Sequence, residues 1–177
     1  MNKKYTAILG LKPSQGARSP KLWNKVYKKI SSVERMIPID IPQKNFKKKF
    51  NSLKKDKNFL GGAVTVPYKE ACFKLLKTIK DKRILQIGAV NCLYRNEKGK
   101  LVGTNTDGEA ALEVFNNEIK KKKIKKLKTI AILGYGGVGK AIVAYFSSYY
   151  KNSSILVFTR YKKTRNFKNV SFINLKN

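Results

Sequence analysis

Apolar positions along the chain fall into short alternating or continuous runs, separated by segments with helical spacing. Residues 4–10, KYTAILG, are a short apolar run ending in Gly and predict a first strand. In ARSPKLWNKVYKKI, residues 17–30, Leu22, Val26 and Ile30 recur every four positions and line one helical face, with Ser19 as the N-cap and Pro20 at the first helical position. RMIPIDI, 35–41, alternates as a second strand, and QKNFKKKFNSLKK, 43–55, sets Phe46, Phe50 and Leu53 on one side of a second helix. GGAVTVP, 61–67, predicts a third strand entered through paired glycines and stopped by a proline that can begin the next helix, PYKEACFKLLKTI, 67–79. Three strand-helix alternations argue for a parallel or mixed sheet covered by helices, an α/β fold.

The rhythm then changes. Residues 89–106, AVNCLYRNEKGKLVGTNT, read as two alternating segments around a Glu97-Lys98-Gly99 turn, a hairpin in which Gly supplies the positive φ. DGEAALEVFNNEIKK, 107–121, follows as a helix with acidic residues in its early turns, where the dipole favours them. The lysine-rich stretch 120–126 marks the end of one domain. Beyond it, 128–150 reads as a buried strand, a glycine turn and an apolar helix, and SSILVFTR, 153–160, as another strand. VSFINL, 170–175, is a candidate third strand, although Arg160 to Val170 is a short span for the crossover of a dozen residues that parallel strands need.

Composition narrows the chemistry. Forty Lys and Arg against ten Asp and Glu give a formal charge of +30, which raises nucleic acid as a partner. The lysines occur in nearly every segment and no nucleic-acid module signature accompanies them, so the charge reads as a solvated surface. There are no histidines, which excludes Ser-His-Asp and Cys-His nucleophilic sites and any His-ligated metal. Cys72 and Cys92 lack CxxC spacing and read as reduced, packed thiols of a cytoplasmic protein. No apolar run approaches the ~18 residues of a membrane span, so neither a membrane nor a metal is expected as a partner.

Two groups of residues carry candidate chemistry. Gly134-Tyr135-Gly136-Gly137-Val138-Gly139 matches G-x-G-x-x-G between a strand and a helix. The first Gly permits a tight turn, the second lets backbone N–H groups approach a pyrophosphate, and the third lets helix and strand pack closely. A purely structural turn is the alternative. The next strand ends at Arg160, followed by Lys162, Lys163 and Arg165, with no carboxylate for a ribose 2′-hydroxyl; this selects NADP over NAD, a merely basic surface being the alternative. Hydride transfer to a carbonyl needs a proton donor, and Lys69 with Asp107 is the best available Lys/Asp pair, each at the C-terminal end of a strand or the start of the next helix. Spacing alone leaves open that Lys69 is a solvent-facing cation.

Taken together, GLKPSQGARSP, GGAVTVPYKEA, GAVNCLYRNEKGKLVGTNTDG, AILGYGGVGKA and VFTR resemble, in order and spacing, the signature blocks of the shikimate dehydrogenase family over roughly residues 5–165. The resemblance implies an N-terminal mixed-sheet substrate domain, residues 1–119, and a partial Rossmann-like NADP domain, residues 120–177. It implies reversible NADPH-dependent reduction of 3-dehydroshikimate to shikimate; separately, the chain is expected to be cytoplasmic, as a monomer or homodimer. Lys69 matches the family's catalytic lysine and Asp107 its partner; Thr65 and Asn91 match residues that bind the ring hydroxyls, and Ser19 the second of two serines on the substrate carboxylate. Gly134, Gly136, Gly137, Val138 and Gly139 match the cofactor loop and Arg160 the arginine on the 2′-phosphate. Ala17 stands in place of the first serine, Ala63 in place of an Asn and Cys92 in place of a Thr, with Ser14, Gln15 or Arg18 as candidate substitutes on the carboxylate. The second half of the nucleotide domain and a C-terminal glutamine of the family are not found, so a silent homologue that only binds a small hydroxy acid is the alternative, and a basic nucleic-acid binder a further one.

Overall fold

A computed structural model of the protein describes residues 4–76, 79, 81–160 and 166–175. The chain forms two compact units, Met1–Ile84 with Val90–Thr104, and Leu85–Ala89 with Asn105–Asn177.

The first unit is built on strands β1 (Tyr5–Gly10), β2 (Arg35–Asp40), β3 (Phe59–Val64), β4 (Cys92–Arg95) and β5 (Leu101–Thr104) in the order β2-β1-β3-β4-β5. β1 runs parallel to β2 and β3, whereas β4 and β5 are antiparallel, so the sheet is mixed as expected. The third strand begins at Phe59, which puts the glycine pair inside it rather than at its entrance. Helix α1 (Ser19–Lys29) follows β1, α2 (Phe46–Lys55) follows β2, and α3 (Lys69–Leu75) follows β3. Phe46, Phe50 and Leu53 of α2 are buried as their spacing requires, in a core with Leu9, Ile41, Phe59, Cys72 and Val90.

Helix α1 departs from its pattern. Arg18 is its N-cap and makes no side-chain cap, Ser19 is its first residue, and the Leu22, Val26 and Ile30 stripe is 45–64% exposed. Its other side docks instead: Asn24 Nδ2 donates to the Met36 carbonyl at 3.0 Å, and Met36 N–H donates to Asn24 Oδ1 at 2.7 Å. Edge strand β2 thereby has the outer backbone groups of Met36 satisfied by a side chain.

Helix α4 (Lys82–Ile87) went unread in the sequence; Asp81 Oδ1 accepts from the N–H groups of Arg83 and Ile84, an ordinary acidic N-cap. Gly99 takes φ +68° in the β4–β5 turn, as the hairpin reading required.

The second unit holds α5 (Asp107–Lys121), β6 (Thr129–Leu133), α6 (Gly137–Tyr149), β7 (Ser154–Thr159) and β8 (Val170–Asn174). Its three strands are parallel, in the order β6-β7-β8. The candidate strand at 170–175 is therefore present, and Asn169 Nδ2 donates to the carbonyls of Tyr150 and Ser153 just ahead of it. Ile130, Ile132, Ile155 and Val157 on one sheet face bury Val143 and Phe146 of α6, with Leu112 and Phe115 of α5 packed against them. A Cβ on Gly108 would lie 2.5 Å from the Ala141 carbonyl oxygen, so α5 and α6 approach backbone to backbone only because Gly is there. The second compact unit joins Leu85–Ala89 to the continuous stretch from Asn105 onward. No helix among the described residues is long and apolar enough to cross a membrane.

Candidate functional site

Residues 64–69 leave the C-terminal end of β3 under tight control. Thr65 N–H donates to the Leu9 carbonyl at 2.8 Å, and Tyr68 N–H closes a turn on the Thr65 carbonyl at 3.0 Å. The helix therefore begins at Lys69, not at Pro67 as its sequence suggested. Tyr68 is 3% exposed, stacks on Phe46 at 4.0 Å between ring centroids, and donates its hydroxyl to the Ile41 carbonyl. Lys69 is fixed from the other side as well, because its carbonyl accepts from Val90 N–H at 2.9 Å. Its side chain is half-buried. The backbone from which its ammonium projects is thus held on both sides.

Asn91 joins this group through the backbone. Its carbonyl accepts from Val64 N–H at 2.7 Å and its N–H donates to the Thr104 carbonyl at 3.1 Å. Thr65, Lys69 and Asn91 thus meet where β3 ends, β4 begins and β5 ends. This is the edge at which open α/β sheets collect ligands. Gly10 makes room there, since a Cβ on it would lie 2.5 Å from the Thr65 methyl. Neither cysteine adds a nucleophile: Cys72 is fully buried and burial pushes its thiol far above the ordinary range, and partial burial raises Cys92 too.

The stretch between β1 and α1 holds Ser14, Ala17, Arg18 and Ser19. Ser14 is already engaged, its N–H and Oγ–H both donating to the carboxylate of Asp40. Those two hydrogen bonds hold the Asp40 carboxyl below its usual range and keep it ionised. Of the three candidate substitutes for the absent serine, Ser14 is thus committed to a carboxylate of the chain's own. Ser19 opens α1, an 11-residue helix with no acidic residue in its first turn, so its N-terminal dipole is left for an outside anion.

Asp107 is the first residue of α5 in the second unit. Its N–H donates to Asn105 Oδ1 at 3.0 Å, while Asn105 Nδ2 donates to the Ala89 carbonyl at 3.0 Å. Asn105 is 2% exposed, so one buried amide ties the start of α5 to Ala89. Sequence reasoning missed Asn105 as a positioning residue; an Asn two residues before a helical Asp is an Asx-turn signal.

In the same unit the glycine turn joins β6 to α6, as its spacing predicts. Gly134 has φ +96° and its N–H donates to the Phe158 carbonyl at 2.8 Å, closing the turn onto β7. A Cβ on Gly139 would lie 2.2 Å from the Gly134 carbonyl oxygen, so the third Gly is demanded by the protein's own packing. Gly136 is different: it is exposed, and a Cβ on it would meet nothing within 4 Å. The fold does not require Gly there, while a ligand approaching the N-terminus of α6 would. Gly137 and Val138 open α6, whose first turn carries no acidic residue. Arg160 is exposed immediately past the end of β7; Lys162, Lys163 and Arg165 lie outside the described residues. This donor set, all backbone N–H and cation, fits an NADP pyrophosphate and 2′-phosphate.

A mixed-sheet unit with a polar edge and a parallel-sheet unit with a glycine-rich strand-helix turn make this a two-unit α/β protein. Residues 9–93 match the family described as shikimate dehydrogenase substrate binding domain. Shikimate dehydrogenase (NADP(+)) of Methanosphaera stadtmanae is 32% identical over 97% of this chain and 61% of its own length. Shikimate dehydrogenase 1 from Peptoclostridium difficile superposes with a TM-score of 0.75 at 28% identity, over 97% of this chain and 60% of that one. The Thermus thermophilus enzyme, solved with NADP(H) and shikimate, gives 0.70 at 26% identity, over 89% and 56%. The chain belongs to the shikimate dehydrogenase family. It spans about three fifths of the length of the Methanosphaera and Peptoclostridium proteins.

Proposed function

We propose that the chain carries the substrate-binding and NADP-binding residues of a shikimate dehydrogenase, which reversibly reduces 3-dehydroshikimate to shikimate in aromatic amino-acid biosynthesis. The observation that carries this reading is Lys69, pinned between Tyr68 and Val90 on the edge that also holds Thr65 and Asn91. The bound NADPH supplies the hydride. Lys69 delivers the proton that the developing alkoxide oxygen takes up, and Asp107 keeps the carboxylate role that the family resemblance gives it. Thr65 and Asn91 hydrogen-bond the remaining hydroxyls, so that an analogue lacking one leaves a polar partner unmatched. Ser19, the N-terminus of α1 and exposed Arg18 receive the substrate carboxylate, Ala17 contributing nothing to it. Gly134, Gly136, Gly137, Val138 and Gly139 would hold the dinucleotide, and Arg160 would receive its 2′-phosphate.

On this reading the partners are small molecules in the cytoplasm, with no nucleic acid and no membrane, and the chain works as a monomer or homodimer. Support comes from lysines dispersed over both units.

The test is absorbance of reduced nicotinamide during shikimate oxidation, beside calorimetry of shikimate binding. Lys69→Ala should abolish turnover and keep shikimate binding within about tenfold. Arg160→Ala should weaken NADPH more than NADH, and equal losses would remove Arg160 from the 2′-phosphate. A second reading, binding without turnover, is favoured by the three-stranded sheet of the second unit, half the six strands of a doubly wound domain. Shikimate affinity with no NADPH formation in the unsubstituted chain would select it.

A further inference from the structure

The fold uses every group of Thr65 except its hydroxyl. The Thr65 N–H donates to the Leu9 carbonyl at 2.8 Å and its carbonyl accepts from Tyr68 N–H at 3.0 Å, while the carbonyl of the next residue, Val66, accepts from Leu11 N–H at 3.3 Å. The bonds to Leu9 and Leu11 lie on either side of Gly10, so Thr65 stands directly beside that glycine. Its methyl occupies the space there, Cγ2 lying 2.5 Å from where a Cβ of residue 10 would be. Among the described residues no hydrogen bond uses Thr65 Oγ1, and no buried side-chain oxygen or nitrogen lacks a partner, so this hydroxyl is open at the surface of a half-buried residue. Thr6, on the same face of β1 as Gly10, shows the ordinary case, its hydroxyl being bonded to that of Tyr27 at 3.1 Å.

Backbone conformation is not what reserves residue 10 for glycine, because its φ lies outside the left-handed region. Nor does the backbone of another segment crowd it most closely. At Gly61, Gly62 and Gly139 a Cβ would strike main-chain atoms, whereas at Gly10 the nearest atom is the Thr65 methyl, with Pro13 Cδ at 3.2 Å and the Val66 carbonyl oxygen at 3.4 Å behind it. The Cβ of threonine is chiral and carries a methyl, a hydroxyl and a hydrogen. A methyl lodged over Gly10 therefore leaves the hydroxyl a single direction. A serine at the same place would turn its Oγ among three staggered positions.

We propose that Gly10 is a positioning residue: the space left by its missing side chain receives the Thr65 methyl and so aims Thr65 Oγ1 in one direction at a ligand hydroxyl. The site then reads a cyclic polyol by the direction of a hydroxyl as well as by its presence. This deepens the proposed function and rests on its reading of Thr65. A methyl added at residue 10 displaces the Thr65 methyl, and an oxygen is also too large to sit 2.5 Å from it. Only the hydrogen on Thr65 Cβ then fits over residue 10, which turns the hydroxyl away from its present direction.

The test has two arms. In the isotope-labelled chain without ligand, three-bond couplings from the Thr65 methyl carbon to its own nitrogen and carbonyl carbon should report one rotamer. Calorimetry of shikimate binding, run well below the thermal midpoint, should show Gly10→Ala weaker by about tenfold, the loss of one neutral hydrogen bond. Thr65→Ser keeps the hydroxyl but frees it among three positions, and should be weaker by about threefold. Gly10→Ala combined with Thr65→Ser removes the methyl in the way, and should bind as well as Thr65→Ser alone. A glycine needed only for packing would lower the thermal midpoint on substitution and leave affinity where it was. Averaged couplings, Gly10→Ala affinity within about twofold of the original, or a double variant no tighter than Gly10→Ala would each overturn the proposal. If Gly10→Ala does not fold, a double variant that folds and binds like Thr65→Ser supports it, and one that does not fold overturns it. An unsubstituted chain that binds no shikimate removes the proposed function instead; the couplings then decide the role of Gly10, one rotamer supporting it and an average overturning it.

Discussion

Replacing Arg95 should unfold the first unit far more readily than a change at a half-exposed strand residue suggests. Its guanidinium uses all five N–H donors on backbone carbonyls. Nε donates to Phe59 at 3.0 Å, Nη1 to Lys54 at 3.1 Å and Gly99 at 2.9 Å, and Nη2 to Leu53 at 3.1 Å and Asp56 at 2.7 Å. Leu53, Lys54 and Asp56 lie at the C-terminal end of α2, where orphan carbonyls and the negative end of the dipole favour a cation. The two Nη1 bonds are exposed, so water replaces them at little cost. The other three are partly buried, and at about 1 kcal/mol each they make Arg95→Met a loss of about 3 kcal/mol. Methionine retains most of the apolar stem, which isolates the head group from the packing. Arg95→Lys should lose about half as much, since one ammonium cannot span the fork. Urea unfolding followed through Trp23, the single tryptophan and a residue of this unit, is the assay. With a urea slope of about 1–3 kcal/mol per molar, the Met variant's midpoint should fall by about 1–3 M. A shift worth under about 0.5 kcal/mol, or a Lys variant as stable as the original, would refute the reasoning.

Gly139→Ala should cost about 1–3 kcal/mol of second-unit stability, because its methyl meets backbone at Gly134 that must move; Gly136→Ala should leave the thermal midpoint unchanged yet weaken NADPH, read from nicotinamide fluorescence. Equal stability losses for the two, or unaltered NADPH affinity in Gly136→Ala, would contradict the assignment. Burial, the hydrogen bond to Asp56 and that residue's charge together push the Tyr5 hydroxyl up to about 12. Because the folded value is raised, the stabilisation is complete below about pH 10, the ordinary tyrosine value, and is lost as pH rises toward 12. The difference in ultraviolet titration between the original chain and Tyr5→Phe should therefore show one tyrosine ionising late. A difference titrating near pH 10 would refute it.

What the sequence disclosed and what it withheld divide along the range of the interaction. The glycine turn, the Gly99 hairpin and the α2 stripe depend on neighbours within a few residues, and each is found where its spacing put it. Helix α1 misled because its docking side is set by Asn24 meeting an edge strand twelve residues on, a polar contact that no apolar period encodes. Arg95 was silent for the same reason, its five carbonyls coming from three separate stretches of chain. Ser14 shows how this reaches function. Its nearness to Ala17 in the chain makes it a natural replacement for the absent serine, but Asp40, 26 residues away, takes both of its donors. A carboxylate already resting on Ser14 repels a second one, so on the proposed reading an incoming acid would meet Ser19 and the N-terminus of α1 instead. Asp40→Asn should thus tighten binding of an acid substrate such as shikimate while leaving a neutral polyol analogue unaffected, and calorimetry showing the same change for both would remove Asp40 from the electrostatics of the site.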